Sequence, residues 1–141
     1  MEKRWALVTG GTKGIGWSIA RQLISQGVNV IITSRQIEDL KARQTELATD
    51  FPSSNCLVCE ADLSNRNGVS ILAKFVKNSL DTLDILVNNA GVFLPGSVIE
   101  EEEGALEKQI ETNLYSAYYL TRELMPLIQK ANRGYILNMC S

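Results

Sequence analysis

The sequence predicts an α/β fold, a doubly wound parallel sheet covered by helices on both faces, and three observations point to it. Short apolar, β-branched runs alternate along the chain with stretches of helical periodicity, and such alternation implies right-handed crossovers between parallel strands. Apart from Asn29, the run Val28 to Thr33 is continuous and β-branched, as expected for a strand buried on both faces. Polar and glycine-rich turns collect where these runs end, and in such sheets the ligand crevice lies at the carboxyl ends of the strands.

The first strand is expected at Trp5 to Val8, running into Thr9-Gly10-Gly11. A helix comes next, with Ile15, Ile19, Ala20 and Leu23 on one face and Gly27 as its C-cap. After the second strand, a polar helix spans Glu38 to Thr49, and Pro52 to Asn55 form a loop. The third strand covers Cys56 to Ala61 and ends at Asp62, and Ser64 is expected to cap a helix carrying Val69, Leu72, Ala73 and Val76. Asp84 to Val87 form a fourth strand leading into Asn88-Asn89-Ala90-Gly91. A long helix is predicted over Glu101 to Lys130, its start marked by the acids Glu100 to Glu103, and a fifth strand covers Tyr135 to Cys140. No repeat or low-complexity segment interrupts this order.

With 141 residues, 45% of them hydrophobic and 21% charged, the chain is expected to form one globular domain over residues 1–141. The net charge of -2 and the scattered Lys and Arg offer no stripe for a phosphate backbone, so nucleic acid is not expected as a partner. The apolar run near the start is too short for a signal peptide or a membrane span, and a cytoplasmic protein without a membrane partner is expected. There is no histidine, which removes the usual general base of serine and cysteine hydrolases and most zinc sites. Cys56-Leu-Val-Cys59 has the spacing of a redox or metal pair. Residues three apart in a strand point to opposite faces, however, so two buried, reduced thiols are expected and no metal site.

Thr9-Gly10-Gly11-Thr12-Lys13-Gly14-Ile15-Gly16 lies between a strand and a helix, where glycines let backbone N–H groups approach a pyrophosphate at the helix N-terminus. It lacks the Gly-Lys-Ser/Thr of kinase-like phosphate loops. Asn113 shares a helical stripe with Leu106, Ile110, Ala117, Leu120 and Leu124. A buried amide there must find partners, and backbone groups of a neighbouring strand are one source. Asp62 could equally be a turn or cap carboxylate beside Ser64.

Together, the Gly10–Gly14–Gly16 spacing, Asp62-Leu63, Asn88-Asn89-Ala90-Gly91, Asn113 and Asn138-Met139-Cys140-Ser141 resemble the short-chain dehydrogenase/reductase family, whose Rossmann-type domain carries these motifs in this order. The resemblance runs along the whole chain. It implies that Gly10, Thr12, Lys13, Gly14, Ile15 and Gly16 hold the pyrophosphate, that Asp62 and Leu63 meet the adenine, and that Asn89, Ala90 and Gly91 line the nicotinamide ribose. It also implies that Asn113 serves a proton relay through a bound water and that Ser141 hydrogen-bonds the substrate carbonyl, with Cys140 standing where a serine is more usual.

Nicotinamide cofactors are told apart by charge beyond the second strand, where an acid binds the ribose hydroxyl and a base the 2'-phosphate. Here the strand runs into Thr33-Ser34-Arg35 and the glycine loop adds Lys13, so NADP is the expected cofactor, with Ser34 and Arg35 at its phosphate. The family's proton donor is a tyrosine followed four residues later by a lysine; Tyr115, Tyr118, Tyr119 and Tyr135 are followed at that offset by Tyr119, Arg122, Glu123 and Met139. The resemblance therefore implies a sheet truncated after its fifth strand, a bound cofactor and little or no turnover by this chain alone. It also implies a complete protein that transfers hydride to or from a small carbonyl or alcohol, in the manner of 3-oxoacyl carrier-protein reductases, and a homo-oligomer is expected for that complete form. The alternative is a dinucleotide-binding or interaction module without chemistry. The fifth strand is expected to be an exposed edge and the chain weakly stable and prone to associate.

Overall fold

The structure, a computed structural model, describes residues 3–140; Met1, Glu2 and Ser141 lie outside the described residues. Its elements are β1 (Trp5–Thr9), α1 (Gly14–Ser25), β2 (Asn29–Ser34), α2 (Ile37–Asp50), β3 (Cys56–Glu60), α3 (Arg66–Ser79), β4 (Ile85–Asn88), α4 (Ala105–Ile110), α5 (Ser116–Gln129) and β5 (Tyr135–Asn138). The five strands form one sheet in the order β3-β2-β1-β4-β5. Every pairing is parallel, with Leu7 opposite Ile31 on one side and Leu86 on the other. The doubly wound parallel sheet expected from the sequence is the architecture observed.

Strand alternation divides the core into two layers. Leu7, Ile31, Cys59 and Leu86 face one side and pack with Val69, Leu72 and Val76 of α3 and Leu120 and Leu124 of α5. Ala6, Val8, Val30, Ile32 and Val87 face the other, against Ala20 and Ile24 of α1 and Leu40 and Leu47 of α2. Cys59 lies in the first layer while Cys56 packs against the second, so the two sulfurs sit on opposite faces as the strand period requires. Both are free thiols, Cys59 buried as expected and Cys56, on the outer strand β3, only partly buried.

Several expectations need correction. The buried face of α1 is centred on Gly16, Ala20 and Ile24, with the expected Ile19 and Leu23 only partly buried at its flank and Ile15 61% exposed. A glycine that touches the sheet turns the helix by its closest side, and the larger apolar side chains are left flanking it. Gly27 does close α1, at φ 86, with its own N–H bonded to the Ile24 carbonyl and that of Val28 to Leu23, the two bonds of a Schellman end. The cap of α3 is Asn65 rather than Ser64, its side chain accepting from the Gly68 N–H. Ser64 instead donates to Asp62.

The predicted long helix is the most altered. It begins at Ala105, after a left-handed Gly104 at φ 91, and it contains one wide π-turn over Glu111–Tyr115. An inserted residue in the hydrogen-bond ladder rotates the turns before it relative to the turns after it. Leu120 and Leu124 are therefore buried while Leu106 and Ile110 face solvent, and the stripe predicted as one face is two. No helix among the described residues is long and apolar enough to cross a membrane.

Candidate nucleotide-binding cleft

The sheet order places β1 between β2 and β4, so the connections after these strands leave in opposite directions and open a crevice at their carboxyl ends. A cleft of about 250 Å³ occupies that crevice, lined from the loop after β1 by Gly10, Thr12 and Lys13, and from the end of β2 by Thr33, Ser34, Arg35 and Gln36. Asp62, Leu63 and Ser64 line it after β3, Ala90, Gly91 and Val92 after β4, and Asp39 and Thr112 from the helices.

The glycine loop is held by the β4 end. Asn89 Nδ2 donates to the carbonyls of Thr9 and Gly10, both at 3.2 Å. The buried Thr9 hydroxyl accepts from the N–H groups of Asn89 at 2.9 Å and Ala90 at 2.8 Å and donates to the Val87 carbonyl at 3.4 Å. Gly10 turns at φ +60, and a Cβ on Gly16 would overlap both the Gly10 carbonyl oxygen and the Asn89 amide. These glycines are thus demanded by contact and conformation. The N-terminus of α1 has no acid in its first turn and no side-chain cap, leaving its first N–H groups free for an anion. The neighbouring helix starts are already served: Glu60 Oε2 accepts from the Ile37 N–H at 3.0 Å, and Asn65 caps α3. The uncapped start of α1 has the chemistry of an anion site.

At the β2 end, Ser34 Oγ accepts from the Gln36 N–H at 3.2 Å, which bends the chain so that Arg35 emerges exposed at the cleft. Asp62 Oδ1 accepts from both the N–H of Ser64 at 3.0 Å and its hydroxyl at 2.7 Å. These Ser64 hydrogen bonds, with lesser help from the Arg35 charge, hold the Asp62 carboxyl below the usual carboxylate range. Asp62 is therefore a turn carboxylate and a cleft residue at once.

Of the residues singled out from sequence, Gly10, Thr12, Lys13, Ser34, Arg35, Asp62, Leu63, Ala90 and Gly91 come together around the cleft. Gly14 and Ile15 instead border a shallow surface hollow on α1 with Ile19 and Leu23. Gly16 and Asn89 lie beneath the loop and hold its shape. Asn113 is exposed rather than buried, because it sits in the π-turn, and its amide spans the backbone of Val92: Oδ1 accepts from N–H at 2.7 Å and Nδ2 donates to the carbonyl at 2.8 Å. Its partner is the segment after β4, not a strand. Ser141 lies outside the described residues. Sequence reasoning missed Thr112, which is buried at the cleft wall with a hydroxyl that has no hydrogen-bond partner among the described residues. It also missed Arg43, whose Nε reaches the Thr12 carbonyl at 2.9 Å from α2.

A parallel sheet that opens at its crossing point over a glycine-lined loop and an uncapped helix is a Rossmann-type nucleotide-binding architecture. The family model of the short chain dehydrogenases matches residues 4–141, and the chain belongs to that family. An uncharacterized oxidoreductase of Staphylococcus saprophyticus is 31% identical over 144 residues, covering 100% of this chain and 60% of the relative. The NADP-dependent 3-hydroxy acid dehydrogenase of Salmonella typhi is 36% identical over 138 residues, covering 96% of this chain and 53% of that protein. A metagenomic short-chain oxidoreductase, solved in complex with NADP, superposes with a TM-score of 0.85 at 34% identity, covering 94% of this chain and 60% of that one. The chain thus spans between 53% and 60% of the length of these relatives.

Proposed function

We propose that this chain is the cofactor-binding part of an NADP(H)-dependent oxidoreductase that interconverts a carbonyl and an alcohol, in the manner of 3-oxoacyl carrier-protein reductases. The observation that carries it is Arg35 at the mouth of the cleft, with Ser34 and Lys13 beside it and no acid at the end of β2. The Ser34 oxygen accepts from the Gln36 N–H, so its own hydrogen is free to be donated to a phosphate. The planar fork of Arg35 offers two parallel donors to the same group.

The remaining roles follow from position. The backbone from Gly10 to Gly16 and the α1 N-terminus take the pyrophosphate, Asp62 and Leu63 flank the adenine, and Asn89, Ala90 and Gly91 line the nicotinamide ribose. The bound nicotinamide supplies hydride transfer. Asn113 bonds the Val92 backbone through one acceptor site and one donor site of its amide, so this residue fixes the wall after Gly91 and keeps a second site of each kind for a relay water. Ser141 orients the substrate oxygen. No tyrosine here is followed by lysine four residues later, and without that general acid these 141 residues bind cofactor but turn over little or none, a deficit of at least ~10²-fold.

Calorimetric titration of the chain with NADPH and then NADH tests this reading. Saturable binding that prefers NADPH is expected, and Arg35→Ala should weaken it by about 10- to 100-fold, the loss of charge-assisted hydrogen bonds worth ~1.5–3 kcal/mol. Equal affinity for both nucleotides, or an Arg35→Ala variant that binds NADPH like the parent, would contradict it.

A further inference from the structure

Asp39 is one of two carboxylates that line the cleft, and the other, Asp62, is turned into hydrogen bonds with Ser64. An acid in the first turn of α2 has an ordinary explanation as a partner for the helix dipole. Its position adds something else. Asp39 Oδ2 lies 3.6 Å from Lys13 Nζ, across the opening that Arg35 also borders. The two helical turns behind this pair are tied to the same loop: Arg43, one turn along α2, donates to the Thr12 carbonyl at 2.9 Å. Its guanidinium is stacked 4.2 Å from the Trp17 ring centre and paired with Glu46 at 3.3 Å. The backbone that carries Lys13 is thus pinned beside the helix that carries Asp39, and the lysine meets the carboxylate by construction.

Resting on the reading of the cleft as an NADP(H) site, we infer that Asp39 is a specificity-determining residue that holds Lys13 away from the 2'-phosphate and so reduces the preference for phosphorylated over unphosphorylated nucleotide. Arg35, which has no ion-pair partner among the described residues, carries the recognition, and Lys13 contributes only what it can share between two anions. Pairing with Asp39 draws the Lys13 charge off a phosphate, while a carboxylate can itself accept from a ribose hydroxyl, so its removal favours the phosphorylated cofactor. The pair is exposed, which limits the effect to that of a surface ion pair and makes it sensitive to salt.

The test is titration of the full chain and its Asp39→Asn variant with NADPH and NADH at one ionic strength, with melting curves to show that both are folded. Asparagine keeps the shape and removes the charge; Asp39→Ser serves the same purpose if the first variant folds poorly. NADPH affinity should rise about 1.5- to fivefold, the range of an exposed ion pair, with NADH affinity unchanged or lower. The gain should vanish in a Lys13→Ala background. NADPH affinity that stays constant or falls, or an equal rise for NADH, would overturn the assignment, and so would a full gain without Lys13. A parent chain that binds neither nucleotide would instead overturn the reading of the cleft itself.

Discussion

Asn89 donates from Nδ2 to the carbonyl of Gly10 at 3.2 Å, joining the end of β4 to the glycine loop after β1. Gly16 packs against this contact so closely that a Cβ there would overlap both groups. The shape of the loop is therefore set by a residue far away in sequence. Asn89→Ala should cost ~1 kcal/mol of stability, the worth of a typical net hydrogen bond, and weaken nucleotide binding more than that by loosening the loop. Gly16→Ala should cost ~1–3 kcal/mol, since the backbone must shift to make room. Urea denaturation followed by tryptophan fluorescence measures both; a Gly16→Ala variant as stable as the parent would contradict the packing described.

Thr9 is 2% exposed and its hydroxyl satisfies the N–H groups of both Asn89 and Ala90. Thr9→Val keeps the volume and strands those two donors, at ~1–3 kcal/mol for each. A loss of about 2–6 kcal/mol is expected by chemical denaturation, with Thr9→Ser close to the parent. Equal losses for valine and serine would show that packing, not hydrogen bonding, governs the position.

The three cysteines should separate cleanly by reactivity. Burial pushes the Cys56 thiol from its ordinary 9.0 up to about 12, and burial, then the Glu60 charge, raises Cys59. Cys140 is exposed. Iodoacetamide at about pH 8, near the ordinary thiol range, should modify one residue quickly, Cys140 by mass spectrometry, and the other two only with unfolding. For Cys56 the folded-state value lies above the unfolded one, so its contribution to stability is complete below pH 9.0 and is lost as pH rises from there toward about 12. Cys56 is only partly buried, and its rapid labelling in the native chain would contradict the rise that desolvation gives its thiol.

The outer strand of the sheet should drive association. Tyr135, Ile136, Leu137 and Met139 are between 37% and 48% exposed on and just after β5, which pairs only with β4 among the described residues. An unpaired apolar edge recruits another chain. The apparent size in gel filtration should rise with protein concentration, and Leu137→Lys should suppress the rise. A monomer at every concentration would contradict this.

Element order, the parallel sheet and most of the cleft are legible in the sequence because they depend on local signals. Gly27 ends a helix by backbone conformation, and the β-branched run expected as a strand at Val28 to Thr33 forms β2 one residue later, at Asn29–Ser34. The long helix is misread because hydrophobic periodicity assumes a constant 3.6-residue turn, and the π-turn at Glu111–Tyr115 breaks that phase without leaving a glycine or proline to announce it. Asn113 is thereby placed in a buried stripe it does not join. Ser64 is expected as the cap of α3 from its residue type, but its N–H and hydroxyl both go to Asp62, and the next residue, Asn65, caps the helix instead. Arg43 and Thr112 lie outside every motif, and they reach the cleft through tertiary packing that no spacing records.

The most direct test of the account is amide NMR of the nitrogen-labelled chain titrated with NADP+. Shift changes should concentrate on Gly10 to Gly14, Ser34, Arg35, Asp62, Leu63, Ala90 and Gly91, around one end of the sheet. The opposite end has a basic hollow of its own, bordered by Lys3, Arg4, Lys130 and Arg133. Changes gathered there, with the glycine loop and Arg35 unmoved, would contradict the assignment of the cleft.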